Sequence, residues 1–301
     1  MNDSSAKIWV LMSSSSESEN IEGGKTGQLW GRGGPLVEGL EKNMKITIDG
    51  PGGKMKLIVL RYGKGPGILW IHGGGYAMGM AAMVYYSMGR LLAKRFGGVV
   101  ISPEYRLAKK APYPAALEDC YAALKYVYDH SDELGIDRSR IVVGGESAGG
   151  GLAAAICMYA RDKGEVPVCF QIPLYPMLDC EDTDSSRDNH AHGWNTKRNH
   201  WGWSLYLRGL YGTDHVPPYA SPARATDYNG LPPCYTYIED GEPFYDETLT
   251  YVQRLRDAGV EATIDIFHGN THGFDFMFWT KNAKDAKKKL IRAARRYIGR
   301  F

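Results

Sequence analysis

Apolar and polar positions follow two alternating patterns along most of the chain. Short runs rich in β-branched and aromatic residues predict strands, and apolar residues at helical spacing predict helices. The predicted strands cover 44–48, 55–60, 68–71, 99–101, 140–143, 170–174, 235–238 and 262–267. The predicted helices cover 81–96, 115–128, 148–160, 246–258 and about 280–299. This alternation indicates an α/β fold with a mostly parallel central sheet of about eight strands, flanked by helices on both faces.

Three segments depart from this alternation. The turn Pro51-Gly52-Gly53 alone separates the first two strands, which predicts an antiparallel pair at one edge of the sheet. Residues 1–42 are rich in Ser and Gly and predict a flexible or loosely helical lead-in. Residues 179–230 hold many aromatic and polar residues without a strand pattern. Such an insertion predicts a small helical lid, or cap, over the strand ends.

Composition narrows the class of partner. The 301 residues include 36 Lys and Arg against 34 Asp and Glu, a net charge of +2 that gives no support to nucleic acid or an anionic membrane as the main partner. No apolar run approaches the roughly 20 residues that span a bilayer. The first 20 residues lack a basic start and a long apolar core, so a secretory signal is not predicted. Five scattered cysteines without a C-x-x-C pair favour a reducing, cytoplasmic location.

The last predicted helix carries eight Lys and Arg residues between 281 and 296. A nucleic-acid patch is one interpretation of this charge. However, Ala283, Ala286, Leu290, Ala293 and Tyr297 form an apolar stripe at helical spacing. The stripe favours a helix that packs on the sheet and presents its charges to solvent.

The pattern G-x-S-x-G occurs at Gly145, Ser147 and Gly149, between a predicted strand and a predicted helix. A sharp strand-to-helix turn holds its central residue in a strained conformation and lifts the hydroxyl clear of the sheet. Glycines two positions before and after the serine avoid clashes across the turn. The helix N-terminus also favours negative charge that develops near the serine. The segment therefore predicts a nucleophilic serine.

A dinucleotide fingerprint overlaps this motif. Gly149, Gly151 and Ala154 fit the relaxed form G-x-G-x-x-A. Both motifs require a strand, a turn and a helix, so local context does not separate them. The glycines begin inside the predicted helix rather than in the turn, and the remaining motifs favour hydrolysis.

A glycine run, His72-Gly73-Gly74-Gly75-Tyr76, directly follows the strand predicted at 68–71. Without side chains in the way, backbone N–H groups of such a run face an anion. Acyl transfer needs these donors where a carbonyl oxygen becomes an oxyanion. The expected donors are the N–H groups of Gly74, Gly75 and Ala148, and Gly73 is expected to supply the turn.

A general base is expected beyond the last strand, where His268 and His272 lie. His272 is the better candidate because it lies further into the loop, whereas His268 is expected to be structural. His190 and His192 form an H-x-H pair in the insertion, but no carboxylate spacing supports a metal site there.

The acid that orients the base is expected after the strand at 235–238. In α/β proteins with a G-x-S-x-G nucleophile turn, the catalytic residues follow one another along the chain as Ser, then Asp or Glu, then His. Four carboxylates lie in that region. They are Glu239, Asp240, Glu242 and Asp246. Propensity alone does not choose among them.

Taken together, five ordered motifs resemble the hormone-sensitive-lipase-like family of bacterial carboxylesterases, over about residues 44–300. The motifs are HGGGY at 72–76, EYRLA with PYPAALED at 104–119, GESAGG at 145–150, YASPAR at 219–224, and HGF at 272–274. The family's D-P-L/F-x-D-E pattern matches 242–247, which assigns the acid to Glu242, with Asp240 as the alternative. The resemblance thus implies an α/β-hydrolase fold.

The same resemblance implies a cap built from residues 1–43 and 179–216, over a catalytic domain of residues 44–178 and 217–301. Several aromatic residues crowd the second cap piece. They are Trp194, Trp201, Trp203, Tyr206 and Tyr211. They either hold the cap together or line an apolar substrate pocket, for which Tyr76 and Trp201 are the candidate contacts.

The sequence therefore predicts a serine carboxylesterase that acts on short-chain acyl esters through Ser147, His272 and Glu242. No metal or organic cofactor is expected. The expected partner is a small-molecule ester, with no nucleic acid and no membrane, and a homodimer is compatible with this prediction. An amidase or lactonase with the same triad is the nearest alternative. A silent small-molecule receptor on this fold is disfavoured because such receptors typically lose the base.

Overall fold

The computed structural model describes residues 42–299 and contains one sheet of eight strands. The strands are β1 (Lys42–Gly50), β2 (Gly53–Arg61), β3 (Gly65–Ile71), β4 (Val99–Pro103), β5 (Ile136–Glu146), β6 (Phe170–Leu174), β7 (Cys234–Glu239) and β8 (Ala262–Phe267). The helices among the described residues are α1 (Met88–Phe96), α2 (Ala115–Asp129), α3 (Ser131–Leu134), α4 (Ala148–Lys163), α5 (Thr196–Leu207), α6 (Tyr245–Asp257) and α7 (Lys281–Ile298). The predicted α/β fold is confirmed.

The spatial order of the strands is β1-β2-β4-β3-β5-β6-β7-β8. β2 runs antiparallel to both β1 and β4, and the remaining pairs are parallel. Every residue of β3, β4, β6 and β7 is buried, whereas the edge strands β1 and β8 are buried only in part. Central parallel strands are covered by helices on both faces, which explains why their sequences are continuous apolar runs.

The helix predicted over 81–96 is divided in the structure. A 3₁₀ helix covers Ala81–Tyr86, and α1 begins at Met88. Ser87 separates them because its hydroxyl accepts a hydrogen bond from the N–H of Arg90 at 3.1 Å and so caps α1. Apolar periodicity runs through both pieces, so the hydrophobic pattern alone did not reveal the break.

The insertion between β6 and β7 contains α5 and two short 3₁₀ helices, Arg208–Leu210 and Pro222–Arg224. Its start is held by the buried Glu247 of α6, whose Oε1 accepts hydrogen bonds from the N–H groups of Leu178 (2.6 Å) and Asp179 (3.2 Å). Of the N-terminal cap piece predicted over 1–43, residues 1–41 lie outside the described residues, and 42–43 belong to β1. The boundaries at 179 and 216 stay predictions.

Candidate active site

Ser147 occupies a sharp turn between β5 and α4, with backbone angles of φ 57° and ψ −122°. A non-glycine residue in this region is strained, and such strain persists only where the surrounding structure enforces it. Hydrogen bonds hold the turn from both sides, since Ser147 N–H donates to Leu174 O and Met177 N–H donates to Ser147 O, each at 3.0 Å. Methyl groups on Gly145 or Gly149 would overlap the carbonyl oxygen of Ile71. The G-x-S-x-G pattern is therefore required by packing of the turn against β3.

The glycines that suggested a dinucleotide site are occupied by protein contacts. A methyl group on Gly149 would overlap Ile71, and one on Gly151 would overlap both Met177 O and the hydroxyl of Tyr76. A pyrophosphate needs free backbone N–H groups at a helix N-terminus with open space before them. These glycines instead allow α4 to approach β3 and the loop after β6, which removes the basis of the dinucleotide interpretation.

Three predicted residues from three separate loops meet at the carboxyl ends of the strands. His272 Nε2 lies 2.8 Å from Ser147 Oγ, and His272 Nδ1 is hydrogen-bonded to Glu242 Oε2. Because a carboxylate can only accept a hydrogen bond, the proton between the two groups lies on Nδ1. Nε2 is then unprotonated and able to take the serine proton. All three side chains are buried. Burial raises the pKa of the Glu242 carboxyl, and the charge of His272 opposes this rise.

The other three candidate acids have different partners. Asp240 faces the exposed His268, with Oδ2 3.0 Å from Nδ1. Glu239 accepts hydrogen bonds from the N–H of Thr271 and the amide of Asn282, each at 2.8 Å, and so supports the loop that carries His272. Asp246 accepts from the N–H of Ser185 in the insertion at 2.7 Å. Among the four, Glu242 is the one hydrogen-bonded to His272.

The glycine run packs directly against the Ser147 turn. A methyl group on Gly73 would lie 2.8 Å from Glu146 O, and Gly74 and Gly75 have φ values of 118° and 58° that favour glycine. Within the described residues, no acceptor is found for the backbone N–H groups of Gly74, Gly75 and Ala148. His72 anchors the run: its Nδ1 donates to Gly73 O at 2.8 Å, and burial lowers its pKa to about 4, so the ring is neutral.

The insertion contacts both the loop that carries His272 and the glycine run. Its backbone pairs with the His272 loop, since His192 N–H donates to Asn270 O at 3.0 Å and His272 N–H donates to His192 O at 2.9 Å. The buried ring of Trp194 covers Gly75 and has its centroid 6.3 Å from that of His272. Trp194, which was not chosen from sequence as a substrate contact, therefore lies beside both the glycine run and His272. No local motif distinguishes it from its aromatic neighbours.

The two predicted substrate contacts lie in different surroundings. Tyr76 is buried, donates its hydroxyl to Met177 O at 2.8 Å and stacks on Tyr206 at a centroid distance of 3.9 Å. Trp201 is 36% exposed on α5, with the ammonium group of Lys109 5.6 Å from its ring centroid. These contacts give Tyr76 a packing role beneath the glycine run, and contact of either residue with substrate stays a prediction.

Glu146 lies directly before Ser147 and is buried, with its Oε1 accepting a hydrogen bond from the indole N–H of Trp70 at 2.7 Å. Desolvation, with a further contribution from nearby Asp275, raises the pKa of Glu146 from 4.5 to about 8. The folded protein therefore holds this carboxyl protonated at neutral pH, whereas the unfolded chain ionises it. Stability falls as pH rises from about 4.5 to about 8 and levels off above, because the unfolded state binds fewer protons in that window.

Glu146→Gln should flatten this dependence. We expect urea unfolding to show a stability advantage for the variant that grows between pH 5 and pH 8.5, up to about 5 kcal/mol, because the pKa of Glu146 rises from 4.5 to about 8 on folding. The exposed Glu133→Gln serves as the matched control and should keep the slope of the parent protein. Parallel stability curves for Glu146→Gln and the parent would contradict a protonated Glu146.

Between residues 42 and 299, no group of three or more His, Cys, Asp or Glu side chains is placed to hold a metal ion. His190, one half of the H-x-H pair, faces Asp188 at 3.1 Å on the surface. No helix in the same range is long and apolar enough to cross a bilayer.

The strand order, the strained serine turn and the hydrogen-bonded Ser147–His272–Glu242 row define the class as an α/β hydrolase. A family model described as the α/β hydrolase fold matches residues 68–276. The carboxylic ester hydrolase LipN of Mycobacterium tuberculosis is 35% identical over 85% of this chain and 70% of its own length. The chain belongs to the hormone-sensitive-lipase-like family of carboxylesterases, and it is a hydrolase.

Solved structures give the same result. A bacterial heroin esterase superposes with a TM-score of 0.82 at 37% identity and covers 87% of this chain and 85% of its own. A hyperthermophilic esterase from the archaeon Pyrobaculum calidifontis superposes with a TM-score of 0.76 at 33% identity, over 85% of this chain and 83% of its own. Both solved structures therefore share the fold of this chain over most of its length.

Proposed function

We propose that this protein is a serine carboxylesterase that hydrolyses short-chain acyl esters through Ser147, His272 and Glu242. The observation that carries the proposal is the continuous hydrogen-bonded row from Ser147 Oγ through both ring nitrogens of His272 to Glu242. Each link has the geometry that nucleophilic catalysis needs, with the base within hydrogen-bond reach of the nucleophile and held by a third group.

In the first half-reaction, Ser147 Oγ attacks the ester carbonyl carbon while its proton moves to His272 Nε2. The resulting tetrahedral intermediate then collapses, the bond to the alcohol oxygen breaks, and the proton on Nε2 passes to the leaving alcohol. Glu242 keeps its charge throughout and stabilises the imidazolium that forms between these two steps. The product at this stage is an acyl ester of Ser147.

The negative charge on the carbonyl oxygen needs donors that are already in place. The N–H groups of Gly74, Gly75 and Ala148 suit this role because Ala148 directly follows Ser147 and the glycine run packs against the Ser147 turn through Gly73. None of the three finds an acceptor among the described residues. Preorganised donors of this kind contribute roughly 3–4 kcal/mol each to transition-state stabilisation. The N-terminus of α4 adds a favourable partial charge at the same place.

In the second half-reaction, water attacks the acyl carbon and gives its proton to His272 Nε2. The bond from the acyl carbon to Ser147 Oγ then breaks, and the serine oxygen recovers the proton from His272. This restores the starting enzyme and releases the carboxylic acid. The two half-reactions together need only the ester and water, and no oxidant, reductant or further co-reactant.

The preference for short acyl chains rests on the family and on the insertion. We propose that residues 179–216 of the insertion, together with the N-terminal segment 1–43, form a cap over the site. Trp194 supports this because its buried ring closes over Gly75 beside His272 and limits the space next to the oxyanion donors. A ring in that position favours small acyl groups over long ones.

The proposal is tested with p-nitrophenyl acetate, butyrate and decanoate, and with the p-nitroanilide of butyric acid. We expect kcat/KM for acetate or butyrate to exceed that for decanoate by about tenfold or more. We expect little anilide cleavage, because p-nitroaniline is a poorer leaving group than p-nitrophenol. A pre-steady-state burst of p-nitrophenol would report the acyl-enzyme. Preference for decanoate would refute the short-chain proposal, and faster anilide cleavage would favour an amidase.

A further inference from the structure

A second buried carboxylate lies beneath the catalytic histidine. Asp275 follows His272 by three residues, in the 3₁₀ helix Phe274–Phe276, and is only 7% exposed. Its Oδ1 accepts the hydroxyl of Tyr175, and its Oδ2 accepts the hydroxyl of Tyr237, each at 2.7 Å. Tyr237 belongs to β7, and Tyr175 directly follows β6. Asp275 therefore ties the histidine loop to two neighbouring strands.

The hydrogen bonds indicate that Asp275 is ionised. Each oxygen accepts from one tyrosine hydroxyl, as both oxygens of a carboxylate are able to do. Burial raises the pKa of Asp275 above its usual value, and the two tyrosine hydroxyls and the charge of His272 offset part of this rise. Burial also raises the pKa values of Tyr175 and Tyr237, so both phenols keep their protons and act as donors.

Tyr175 links this carboxylate to the imidazole. Its ring meets the His272 ring edge to face, with centroids 5.1 Å apart and an interplanar angle of 79°. Its φ of 32° is unusual for a non-glycine residue, and its N–H donates to Tyr237 O at 3.1 Å. Backbone strain that the surroundings maintain is concentrated at functional sites. The position of the Tyr175 ring is thus set by the backbone as well as by Asp275.

We propose that Asp275 is a positioning residue for the hydrolysis reaction, whose negative charge stabilises the protonated His272 and whose two tyrosine partners hold the histidine loop in place. The inference rests on the proposed serine esterase function. Glu242 supplies the charge that is hydrogen-bonded to the ring. Asp275 supplies a second charge three residues further along the same loop, where Tyr175 contacts both Asp275 and the ring.

Among residues 42–299, few other charged or titratable groups lie near the imidazole. The side chains in contact with the ring are those of Ser147, Tyr175 and Glu242, together with the rings of Trp194 and Phe244. Asp275 contacts Tyr175 and interacts with His272 electrostatically. Glu146 lies near Asp275 but is protonated at neutral pH, and Glu239 is turned toward Thr271 and Asn282. Asp275 is therefore the second negative charge that stabilises the imidazolium.

Removal of this charge has two linked effects. The imidazolium becomes less stable, so the free enzyme loses its proton from His272 at lower pH, and the acid limb of the kcat/KM profile moves toward lower pH. The same loss raises the energy of the transition state, in which His272 is protonated, so the plateau value of kcat falls. A purely structural role would reduce stability or kcat without moving the acid limb.

The test is the pH profile of p-nitrophenyl butyrate hydrolysis by Asp275→Asn, with thermal unfolding measured in parallel. We expect the acid limb to move by about half a pH unit or more toward acid and the plateau kcat to fall about three- to tenfold. Tyr237→Phe removes one hydrogen bond from the same carboxylate but keeps its charge, and should move the limb less. Asp240→Asn removes an exposed carboxylate nearby and should not move it.

If Asp275→Asn does not fold, Asp275→Ser, which is smaller and keeps an oxygen acceptor, carries the same test. An acid limb that coincides with that of the parent in a folded Asp275 variant would overturn the inference. A parent protein that fails to hydrolyse any p-nitrophenyl ester would instead overturn the proposed function, so the two failures are distinguishable.

Discussion

Ser147→Ala is expected to lower kcat for p-nitrophenyl butyrate by about 10⁴-fold or more while the protein stays folded. The variant lacks the oxygen that lies 2.8 Å from His272 Nε2, so no acyl-enzyme forms. Alanine keeps a Cβ at the same strained φ of 57°, so the turn and its hydrogen bonds to Leu174 and Met177 are preserved. Residual activity would come from the oxyanion donors and bound water alone.

Ser102→Ala is the matched control for this prediction. Ser102 is a buried serine of β4 whose hydroxyl has no hydrogen-bond partner in the described part of the chain. Its replacement should leave kcat within about twofold of the parent value. In addition, an organophosphate should label the parent protein at Ser147 and leave Ser147→Ala unlabelled, as read by peptide mass spectrometry. Turnover by Ser147→Ala near the parent rate would disprove the serine mechanism.

Glu242→Gln is expected to lower kcat by about 10⁴-fold, as in other serine hydrolases that lose the orienting carboxylate. Glu242 Oε1 lies 3.3 Å from the N–H of Glu239, and Oε2 faces His272 Nδ1. A glutamine that keeps its oxygen on the Glu239 N–H turns its amide N–H₂ toward Nδ1. The ring must then protonate at Nε2 instead, and that nitrogen no longer accepts the serine proton. Loss of activity thus follows from the wrong tautomer.

Two further variants sharpen this prediction. Glu242→Asp should be intermediate because the shorter side chain must stretch to reach the ring. Asp240→Asn is the matched control, since Asp240 pairs with the exposed His268, and it should cost less than about tenfold. The pH profile of each variant, measured with p-nitrophenyl butyrate, separates a tautomer effect from a loss of folding. Severe loss in Asp240→Asn with mild loss in Glu242→Gln would reverse the assignment of the acid.

The local sequence pattern was sufficient to predict most of the strands, helices and turns. The edge hairpin, the strand-to-helix turn at Ser147 and the glycine run after β3 all depend on residues within a few positions of one another. Short-range steric limits, such as the need for glycine at 145 and 149, leave direct marks in the sequence. The break at Ser87 was missed because one capping hydroxyl interrupts a helix without changing its apolar periodicity.

Local pattern was not sufficient for the acid. Glu239, Asp240, Glu242 and Asp246 lie within eight residues, at the end of β7 or just after it. Their partners depend on how the loop runs past the one that carries His272, where Gly241 N–H donates to Gly269 O at 2.8 Å. That close approach turns Asp240 outward to His268 and leaves Glu242 facing the buried ring. Family resemblance pointed to Glu242, and long-range packing supplies the physical reason.

By itself, therefore, the sequence determined the α/β class, the serine turn, the glycine run after β3 and the region in which the proposed base and acid lie, because each depends on chain geometry over a few residues. Tertiary structure alone decided which side chains meet. Trp194 approaches Gly75 from about 120 residues away along the chain, and Asp275 reaches Tyr175 across 100 residues. Such contacts are set by the relative placement of strands and loops, which no local periodicity encodes.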